Sequence, residues 1–440
     1  MSTTDGGSLE QQFSPSDKWW EPGNDDLRRV RYGQQVGYIR NAMANANLPL
    51  EVFPPGASDS DFAYMYRADT IITRDDGQHS GDAERVRSIL GLPPGLDKSA
   101  DDLPDPIRGM RAHKLPRGRR AADALAQVEA TLGRGLAAHD YLLHVSGSSC
   151  CAATEPAEPT ESNDPSPEMN GDESAGQGVT VAVVDTGVLT SVTSQHDWLR
   201  HGVDGQAEPP PPQMGHYRGH GTFVAGVVRT MAPSARVKVF SLLRYGGAAF
   251  ESQIAPQLVA AFDSGADIIN MSAGTETAPG DVLFALQAFY DSYLKGSNKI
   301  MVCAAGNDAS FGPFAPASQR WPVAVGALNA DETLAGYSNR GPWVDVFARG
   351  TDVVNAFPNG PYHYMEAPMQ GQNDAPFTNG MASWSGTSFA APLVSGVLAA
   401  RMSRHGENAA QAWASLSSIA ESRAAANNGM WIVRPEDAAS

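Results

Sequence analysis

Residues 179–187 read Val-Thr-Val-Ala-Val-Val-Asp-Thr-Gly, a short apolar run that ends in an acid and a turn glycine. Such a run of β-branched residues is typical of a parallel strand buried on both faces. Similar runs recur at 237–243, 268–271, 300–305 and 323–328, and helical patterns lie between them at 221–230, 252–264 and 281–295. Strands that alternate with helices predict an α/β domain with a mainly parallel sheet. Asp185 follows one strand, at the carboxyl edge where functional groups gather.

A boundary precedes this domain at residues 147–178, which are rich in Ser, Pro, Glu, Asp and Gly. The stretch has almost no large apolar side chain, so it cannot bury enough surface to offset the entropy of ordering it. We therefore expect an exposed, flexible acidic linker. It separates an N-terminal region at 1–146 from the α/β domain at 179–440.

The N-terminal region is weakly patterned before residue 62 and alternates more clearly afterwards. Its predicted strands lie near 62–73, 107–114 and 141–145, and its predicted helices at 82–90 and 119–132. This alternation indicates a small α+β domain of split βαβ form over about 62–146.

The charge and the apolar content exclude some classes of partner. The formal net charge of the 440-residue chain is −17, and binding nucleic acid needs a concentrated basic face instead. No segment approaches the ~20 apolar residues that a membrane span requires. The amino terminus, MSTTDGGSLEQQFSPSDKWW, lacks the basic start and apolar stretch of a secretory signal. We expect a cytoplasmic protein without nucleic-acid or membrane partners.

The three cysteines are too few for a disulfide framework. Cys150 and Cys151 are adjacent, where a mutual bridge would be strained, and Cys303 lies in the apolar run at 300–305. We expect three reduced thiols without a catalytic role.

Three segments combine glycines with residues that can do chemistry. Asp185 lies in VVDTG, His220 in GHGTFVAGV and Ser388 in SGTSFAAP. A serine hydroxyl becomes a good nucleophile only when a histidine takes its proton, and a carboxylate usually holds that histidine in one tautomer. The three residues, each at the edge of a different predicted element, supply such an acid, base and nucleophile.

Each residue also has a purely structural interpretation. Asp185 alone fits a turn, His220 a packed or helix-capping position, and Ser388 an N-cap. Their joint occurrence favours catalysis. His216 and His220 are four residues apart, as in some zinc sites, but the glycines around His220 disfavour a helix before it and the expected Glu is absent. We therefore expect no catalytic metal.

With these motifs the chain resembles the subtilisin (subtilase) family of serine proteases over about residues 178–405. Four further stretches carry the resemblance: DIINMSAG at 267–274, AAGN at 304–307, YSNRG at 337–341, and PA at 316–317 with WP at 321–322. The resemblance implies a three-layer subtilisin-like domain, preceded here by the small α+β domain.

The resemblance also assigns roles. Ser388 is the expected nucleophile, His220 the base, Asp185 its partner, and the Asn307 amide the oxyanion donor beside the Ser388 backbone N–H. No cofactor is required for this chemistry. Calcium is a common structural ion in the family, but the acidic loops show no ligand pattern that would assign it.

A polypeptide is the expected substrate, bound as an added strand. The resemblance implies that Gly246 and Gly247 line one edge of the cleft. The other edge would be formed by Ser272, Ala273 and Gly274. Small residues there imply an open S1 groove, and Asp308, directly after Asn307, would favour a basic P1 side chain.

The chain departs from the family pattern at Phe223 and Leu393, where many members have histidines that do no chemistry. The segment at 358–384 is longer than the usual connection before the serine. It would form either a lid beside the active site or a solvated insertion, and the composition slightly favours the insertion.

The N-terminal region resembles the pro-domains of this family, which assist folding and then inhibit. We expect a zymogen cleaved in the acidic linker, with a permanent accessory or partner-binding domain as the alternative. Two other functions stay open: a catalytically silent binding protein, which would be expected to have lost a chemical residue, and an esterase or acyl transferase that uses the same triad. The extended-peptide edges disfavour the esterase.

Overall fold

The structure, a computed structural model, describes residues 18–59, 61–93, 107–145, 153–159, 166–209, 217–366 and 375–440. The expectations for Cys150, Cys151 and His216 fall outside these residues. Cys303 is a free, buried thiol, and burial raises its pKa.

The N-terminal part folds around an antiparallel sheet. Its elements are α1 (Asp25–Asn45), β1 (Leu50–Phe53), β2 (Tyr64–Arg74), α2 (Asp82–Leu90), β3 (Met110–Lys114), α3 (Ala121–Leu132) and β4 (Ala137–His144). β2 pairs with β4 along one edge and with β1 and β3 along the other. Helices α2 and α3 pack on each other and on β2. The predicted elements after residue 62 coincide with β2, α2, β3, α3 and β4, whereas α1 and β1 were not predicted.

The C-terminal part is built on a mainly parallel sheet. Its strands are β5 (Thr180–Asp185), β6 (Val203–Gly205), β7 (Arg236–Ser241), β8 (Ala248–Phe250), β9 (Ile268–Met271), β10 (Ile300–Ala304), β11 (Val323–Leu328), β12 (Val346–Arg349), β13 (Val353–Ala356), β14 (Gly360–Tyr362), β15 (Ala375–Phe377) and β16 (Met381–Trp384). Its helices are α4 (Thr190–Thr193), α5 (Asp197–Arg200), α6 (His220–Met231), α7 (Glu251–Asp263), α8 (Phe284–Phe289, continued as a π-turn over Tyr290–Leu294), α9 (Thr387–His405) and α10 (Ala409–Ser422).

Among the described residues, seven strands form the main sheet in the order β12-β11-β10-β9-β5-β7-β6. Every pair in it is parallel, and the central strands are buried throughout, as their apolar sequences predict. Helices α6 and α9 pack together against the sheet, and α7 and α8 pack together between the sheet and the N-terminal domain. The predicted α/β fold with a mainly parallel sheet is confirmed.

One strand joins the two parts of the molecule. β4 pairs antiparallel with β8, so the sheet of the N-terminal domain continues into the C-terminal domain. Helix α1 lies over this junction, and its residues Val36, Ile39 and Met43 share a buried cluster with Leu142 of β4 and Phe250 of β8.

The segment at 147–178 differs from the expected exposed linker at residues 153–159, whereas most of the described residues 166–178 are exposed. Ala153 is fully buried, and its N–H donates to Ser385. Ala157 and Ser383 form an antiparallel bridge. Residues 153–159 therefore run along the C-terminal domain, because main-chain pairing replaces the apolar side chains that the sequence lacks.

No helix of the described ranges is both long enough and sufficiently apolar to cross a bilayer.

Candidate active site

Asp185 ends β5, near the centre of the parallel sheet. Its side chain is fully buried. Oδ1 accepts a hydrogen bond from the Thr186 N–H at 2.7 Å and lies 2.8 Å from Nδ1 of His220. The sheet therefore holds the carboxylate in one position, where it can orient the imidazole.

His220 begins α6, and a glycine on its C-terminal side makes the approach to Asp185 possible. A Cβ on Gly221 would lie 2.5 Å from the Gly187 carbonyl and 3.2 Å from Asp185 Oδ1, so any larger residue would push the helix away. The imidazole packs edge-on against Trp384, with ring centroids 5.3 Å apart. Its Nε2 is buried and has no hydrogen-bond partner among the described residues. Nε2 is therefore the atom that can accept a proton.

Ser388 lies in the first turn of α9 and is almost fully buried. Its carbonyl accepts a hydrogen bond from Ser272 Oγ at 2.9 Å, which ties the helix start to the chain after β9. Its own Oγ donates to the carbonyl of Val145 at 3.4 Å. The hydroxyl therefore faces the end of the N-terminal domain.

Asn307 follows β10 and reaches the start of α9. Its Oδ1 accepts from the backbone N–H of Thr387 at 2.8 Å and from Thr387 Oγ1 at 2.9 Å. Because these two donors fix the oxygen, the amide nitrogen is the atom of Asn307 that can donate toward a substrate at Ser388. This is the orientation that an oxyanion donor needs.

A buried acid that the sequence did not reveal supports the histidine. The carboxylate of Glu208 accepts from the Gly219 N–H, at 2.9 Å to Oε2, directly before His220. Burial raises the pKa of Glu208 to about 8. Glu208 sits in a proline-rich stretch with no motif around it, so nothing in the sequence pointed to this role.

The cleft at these residues is filled by the chain's own N-terminal domain. β4 pairs with β8 through Leu143↔Ala249 and His144↔Ala248. On the other side, His144 and Gly274 exchange both main-chain hydrogen bonds at 3.0 Å. The Val145 N–H donates to the Gly247 carbonyl at 3.0 Å. β4 thus occupies the position of an added strand and leads directly to Ser388.

The residues expected to bind substrate take different places around this strand. Gly247 and Gly274 contact it directly through their main chains. Gly246 lies beneath the Tyr38 ring of α1, where a Cβ would come within 2.9 Å of the ring. Ser272 instead holds Ser388, and Ala273 is buried beside it.

Helix α1 crosses above β4 and contacts both sides of the cleft. Arg28 donates to the Asp308 carbonyl at 2.5 Å, on the loop that carries Asn307. Gln35 donates to the Tyr217 hydroxyl at 3.1 Å, on the histidine side. No pattern in the sequence indicated this cover, since α1 buries polar residues together with apolar ones.

The segment at 358–384 is only partly solvated where it is described, and Glu366 binds α1. Glu366 is buried and forms an ion pair with Arg31 of α1 at 2.7 Å. Glu155 accepts from the Tyr362 hydroxyl and from the Met365 N–H in the same place. Burial raises the pKa of both glutamates. Two carboxyls thus face one guanidinium at the rim of the cleft.

The two residues that depart from the family pattern, Phe223 and Leu393, lie in apolar surroundings. Phe223 packs against Phe389, with ring centroids 4.7 Å apart, and Leu393 borders a cavity of about 540 Å³ away from the triad. Within the described ranges no group of three or more His, Cys, Asp or Glu side chains is arranged to hold a metal ion.

Comparison with known proteins places this geometry in context. A model of the subtilase family matches residues 176–430. The thermophilic serine proteinase of Bacillus sp. (strain AK1) is 33% identical over 241 residues, which cover 52% of this chain and 53% of that protein. Subtilisin E of Bacillus subtilis (strain 168) is 30% identical over 246 residues, which cover 52% of this chain and 57% of that protein. The matched part thus spans little more than half the length of these curated relatives.

A solved structure extends the likeness to the N-terminal domain. The crystal structure of fervidolysin from Fervidobacterium pennivorans, a keratinolytic enzyme related to subtilisin, aligns with a TM-score of 0.59 and 18% sequence identity. The alignment covers 85% of this chain and 61% of that one. At this identity the likeness shows a shared fold and nothing about substrates.

Proposed function

The chain belongs to the subtilase family, and we propose that it is a serine endopeptidase kept latent by its own N-terminal domain. The observation that carries the proposal is the buried contact of 2.8 Å between Asp185 and His220, whose Nε2 is open to a proton. Ser388 lies in the first turn of the neighbouring helix α9. Asn307 accepts a hydrogen bond from the N–H of Thr387, the residue before Ser388. These four residues supply an acid, a base, a nucleophile and an oxyanion donor.

The proposed reaction proceeds in two halves. Ser388 Oγ adds to the scissile carbonyl carbon while its proton passes to His220 Nε2, and the C–N bond then breaks as His220 gives that proton to the leaving amine. Water repeats the sequence on the acyl-enzyme and releases the carboxylate product. Asp185 keeps the Nδ1–H of His220 in place, and the Asn307 amide with the Ser388 N–H stabilises the oxyanion. Side chains supply every step, so the reaction needs no cofactor.

The contacts of β4 support latency. A peptide substrate would bind as an antiparallel strand between Gly247 and Gly274, and β4 already makes those hydrogen bonds. An external polypeptide can therefore enter only after β4 leaves.

A buried acid of β4 strengthens its attachment. Asp140 accepts from the Ser252 N–H at 3.0 Å and from Ser252 Oγ at 2.7 Å, and so caps the first turn of α7. A carboxylate at a helix N-terminus is favourable. The N-terminal domain thus holds the C-terminal domain through one of its helices as well as through the cleft.

The same contacts indicate where the chain would cut itself. The Val145 carbonyl is 3.4 Å from Ser388 Oγ, and the acidic linker follows at once. We propose self-cleavage at the bond after Val145 or after Ser146, at the start of the linker.

The test uses the full chain and its Ser388→Ala variant, each incubated alone and with unfolded casein. We expect wild type to cut itself after residue 145 or 146 and then to cut casein, as read by intact mass and peptide mapping. Ser388→Ala should stay whole and leave casein intact, since it lacks the nucleophile. The variant removes one buried oxygen and keeps the fold, which circular dichroism would check.

Other results would separate the alternatives. A wild-type chain that stays whole and inert, even after the linker is nicked by another protease, would support the silent binding protein instead. Cleavage of esters without cleavage of any peptide would support an esterase. Activity of the uncut wild-type chain equal to that of the processed one would overturn latency alone.

Two further points belong to this proposal. We propose a cytoplasmic location, which fractionation of cells with an antibody to the chain would test. Structural calcium stays unassigned, and the effect of a chelator on the melting temperature would test it.

A further inference from the structure

An aromatic ring lies where a substrate side chain would enter the C-terminal domain. β9 and β10 are neighbours in the sheet, paired as far as Met271↔Cys303. The chain continues beyond them as 272–274, which binds β4, and as 305–307, which ends at Asn307. The ring of Phe314 touches both continuations.

Two glycines mark how closely the ring approaches. A Cβ on Gly274 would lie 2.3 Å from Phe314 Cε1, and a Cβ on Gly306 would lie 2.9 Å from Phe314 Cδ1. Neither position can hold a larger residue while the ring is there. Phe314 is only 2% exposed, so the ring is packed on all sides.

The main chain fixes the ring in this place. Thr275 and Ala315 exchange both of their main-chain hydrogen bonds, each at 2.8 Å. Phe314 therefore directly precedes a residue that is bridged to the segment following Gly274. Its side chain is not positioned by a loose loop.

Little space remains beside the ring. The cavity next to Phe314 has a volume of about 10 Å³, which is room for one water molecule at most. Its lining includes Tyr32 of α1, His144 of β4, Thr275, Glu276 and Asp308. Departure of the N-terminal domain would remove Tyr32 and His144 and leave Phe314 as the floor.

The direction of a bound peptide brings a side chain to this floor. Alternate residues of a strand face the same side, so a peptide that follows β4 turns the residue two places after the His144 position toward the same side as His144. His144 lines the cavity at Phe314. In this chain's own sequence the residue two places after His144 is Ser146, the second of the two cut positions proposed above, and Gly147, Ser148 and Ser149 follow it.

The geometry points to Phe314 as a specificity-determining residue that shortens the pocket for the side chain before the scissile bond. On the function proposed above, on which this inference rests, the enzyme cuts polypeptides after Gly, Ala or Ser and rejects Leu, Phe and Arg there. This reverses the expected open S1 groove, because Gly274 and Gly306 make room for the ring of Phe314 and not for a substrate side chain.

Asp308 does not offset this limit. It is 1% exposed, and its Oδ2 accepts from Asn339 Nδ2 at 3.0 Å while its N–H donates to Asn339 Oδ1 at 2.9 Å. The carboxylate is thus engaged in holding the oxyanion loop. Asp308 lines the same cavity of about 10 Å³ as Phe314, so a basic P1 side chain would find no room there to reach it.

The experiment measures kcat/KM for a peptide series that differs only at P1, with Ala, Ser, Leu, Phe and Arg in turn. The full chain is used after it has processed itself, and active sites are counted with a fluorophosphonate that labels Ser388. We expect Ala to exceed Phe by at least about 100-fold, since a single methylene that a pocket cannot hold already costs about 10- to 200-fold. Phe314→Ala should reduce this ratio by a similar factor.

Phe311→Ala is the matched control. Phe311 is in the same loop and 69% exposed, so loss of its ring should leave the Ala-to-Phe ratio unchanged. Phe314→Leu, which is less disruptive to packing, should lower the ratio by a smaller factor than Phe314→Ala and serves if the Ala variant does not fold.

The outcomes separate this inference from the function on which it rests. A wild-type enzyme that cuts after Phe or Leu as fast as after Ala overturns the inference and leaves the peptidase standing. An unchanged ratio in a folded Phe314→Ala or Phe314→Leu variant overturns the role of Phe314. A wild type that cuts no peptide and takes no label at Ser388 overturns the proposed function, and this inference with it.

Discussion

Strand β4 and helix α1 cover the same cleft by different kinds of contact. β4 binds through its main chain, as in the two hydrogen bonds between His144 and Gly274 at 3.0 Å. α1 binds through side chains, as in the ion pair of 2.7 Å between Arg31 and Glu366. Main-chain pairing tolerates changes of sequence, whereas a side-chain contact depends on the residue.

The difference separates two tasks. On the function proposed above, β4 presents a peptide to Ser388 in the manner of a substrate, and the bond that follows it would be cut. α1 brings no bond near the nucleophile and holds β4 down across Leu142 and Phe250. Self-cleavage after β4 would therefore leave α1 and its side-chain contacts intact. We therefore expect inhibition to continue after the cleavage until α1 also dissociates from the cleft.

The largest expected effect is on the cut itself. Asn307→Ala should slow self-cleavage after β4 by about 100- to 1000-fold, which is the magnitude known for the oxyanion asparagine of subtilisin itself. The variant removes the proposed oxyanion donor, while the main-chain pairing of β4 and the side-chain contacts of α1 stay in place. Intact mass over time measures the rate.

Thr387→Val tests how much the position of the Asn307 side chain matters, apart from the hydrogen bond that its amide donates. It removes the Oγ1 donor to Asn307 at 2.9 Å and keeps the backbone donor at 2.8 Å, so we expect a smaller loss than in Asn307→Ala. If Asn307→Ala cut itself at the wild-type rate, the oxyanion role of Asn307 would be untenable.

The second largest effect is on the binding of β4 in the cleft. His144→Pro removes the N–H that donates to Gly274 and disrupts pairing with β8, which we expect to raise hydrogen exchange at residues 272–276 by about 10- to 100-fold. The measurement uses the Ser388→Ala full chain, so that no cut intervenes. His144→Ala keeps the N–H and is the control.

A comparable increase in His144→Ala would contradict the main-chain account. It would mean that the imidazole, and not the strand pairing, holds β4 in the cleft. Exchange in α1 should rise less than exchange at 272–276 in the Pro variant, because the side-chain contacts of α1 are untouched.

The sequence predicted those elements whose residue pattern is required by their immediate surroundings in the chain. Gly221, directly after His220, is needed where α6 approaches the Gly187 main chain, and the apolar run before Asp185 is needed for a strand buried on both faces. The same reasoning predicted β2, β3 and β4, because short strand patterns alternate with helix patterns in this part of the sequence.

What the sequence did not reveal depends on long-range packing. α1 buries Arg31 and Gln35 on the same side as Leu27 and Ile39, so it has no apolar stripe to recognise. The polarity of the stretch around Glu155 suggested an exposed linker, yet Tyr362 and Met365 bind that carboxylate. Phe314 blocks a pocket only because Gly274 and Gly306, distant in sequence, both lie against it.

A smaller effect should follow from the side chains of α1. Arg31→Ala removes the cation that faces Glu366 and Glu155, and we expect hydrogen exchange of α1 to rise by about 10-fold. The loss is less than for a fully charged buried pair, because the glutamates can take up protons. Arg29→Ala is the control, since Arg29 lies in the same helix with its side chain 69% exposed. Equal effects of the two variants would contradict the buried contact.

The smallest expected effect is that of pH. Burial raises the pKa of Glu155 to about 7 and that of Glu366 to about 8 in the closed state, and Arg31 brings one positive charge to these two carboxyls. A pKa raised by closure stabilises the closed state at low pH, and that stabilisation is lost as the pH rises from the ordinary glutamate pKa through the raised one. The cover should therefore loosen by a few-fold as the pH rises from acid to about 8 and change little above that.

Two groups of β4 also act at the acid end of this range, and they oppose each other. Burial raises the pKa of Asp140 to about 6, which favours closure at low pH, and lowers that of His144 to about 4, which disfavours it. Exchange of α1 and of 272–276 is measured from pH 5 to pH 9 in the Ser388→Ala chain and corrected for intrinsic rates. Glu366→Gln fixes one carboxyl in a neutral form, so it should weaken the loosening with rising pH and leave the contributions of Asp140 and His144 unchanged. If the loosening survived in full in both Glu366→Gln and Glu155→Gln, it would belong to another contact, and the difference between β4 and α1 would have no part in it.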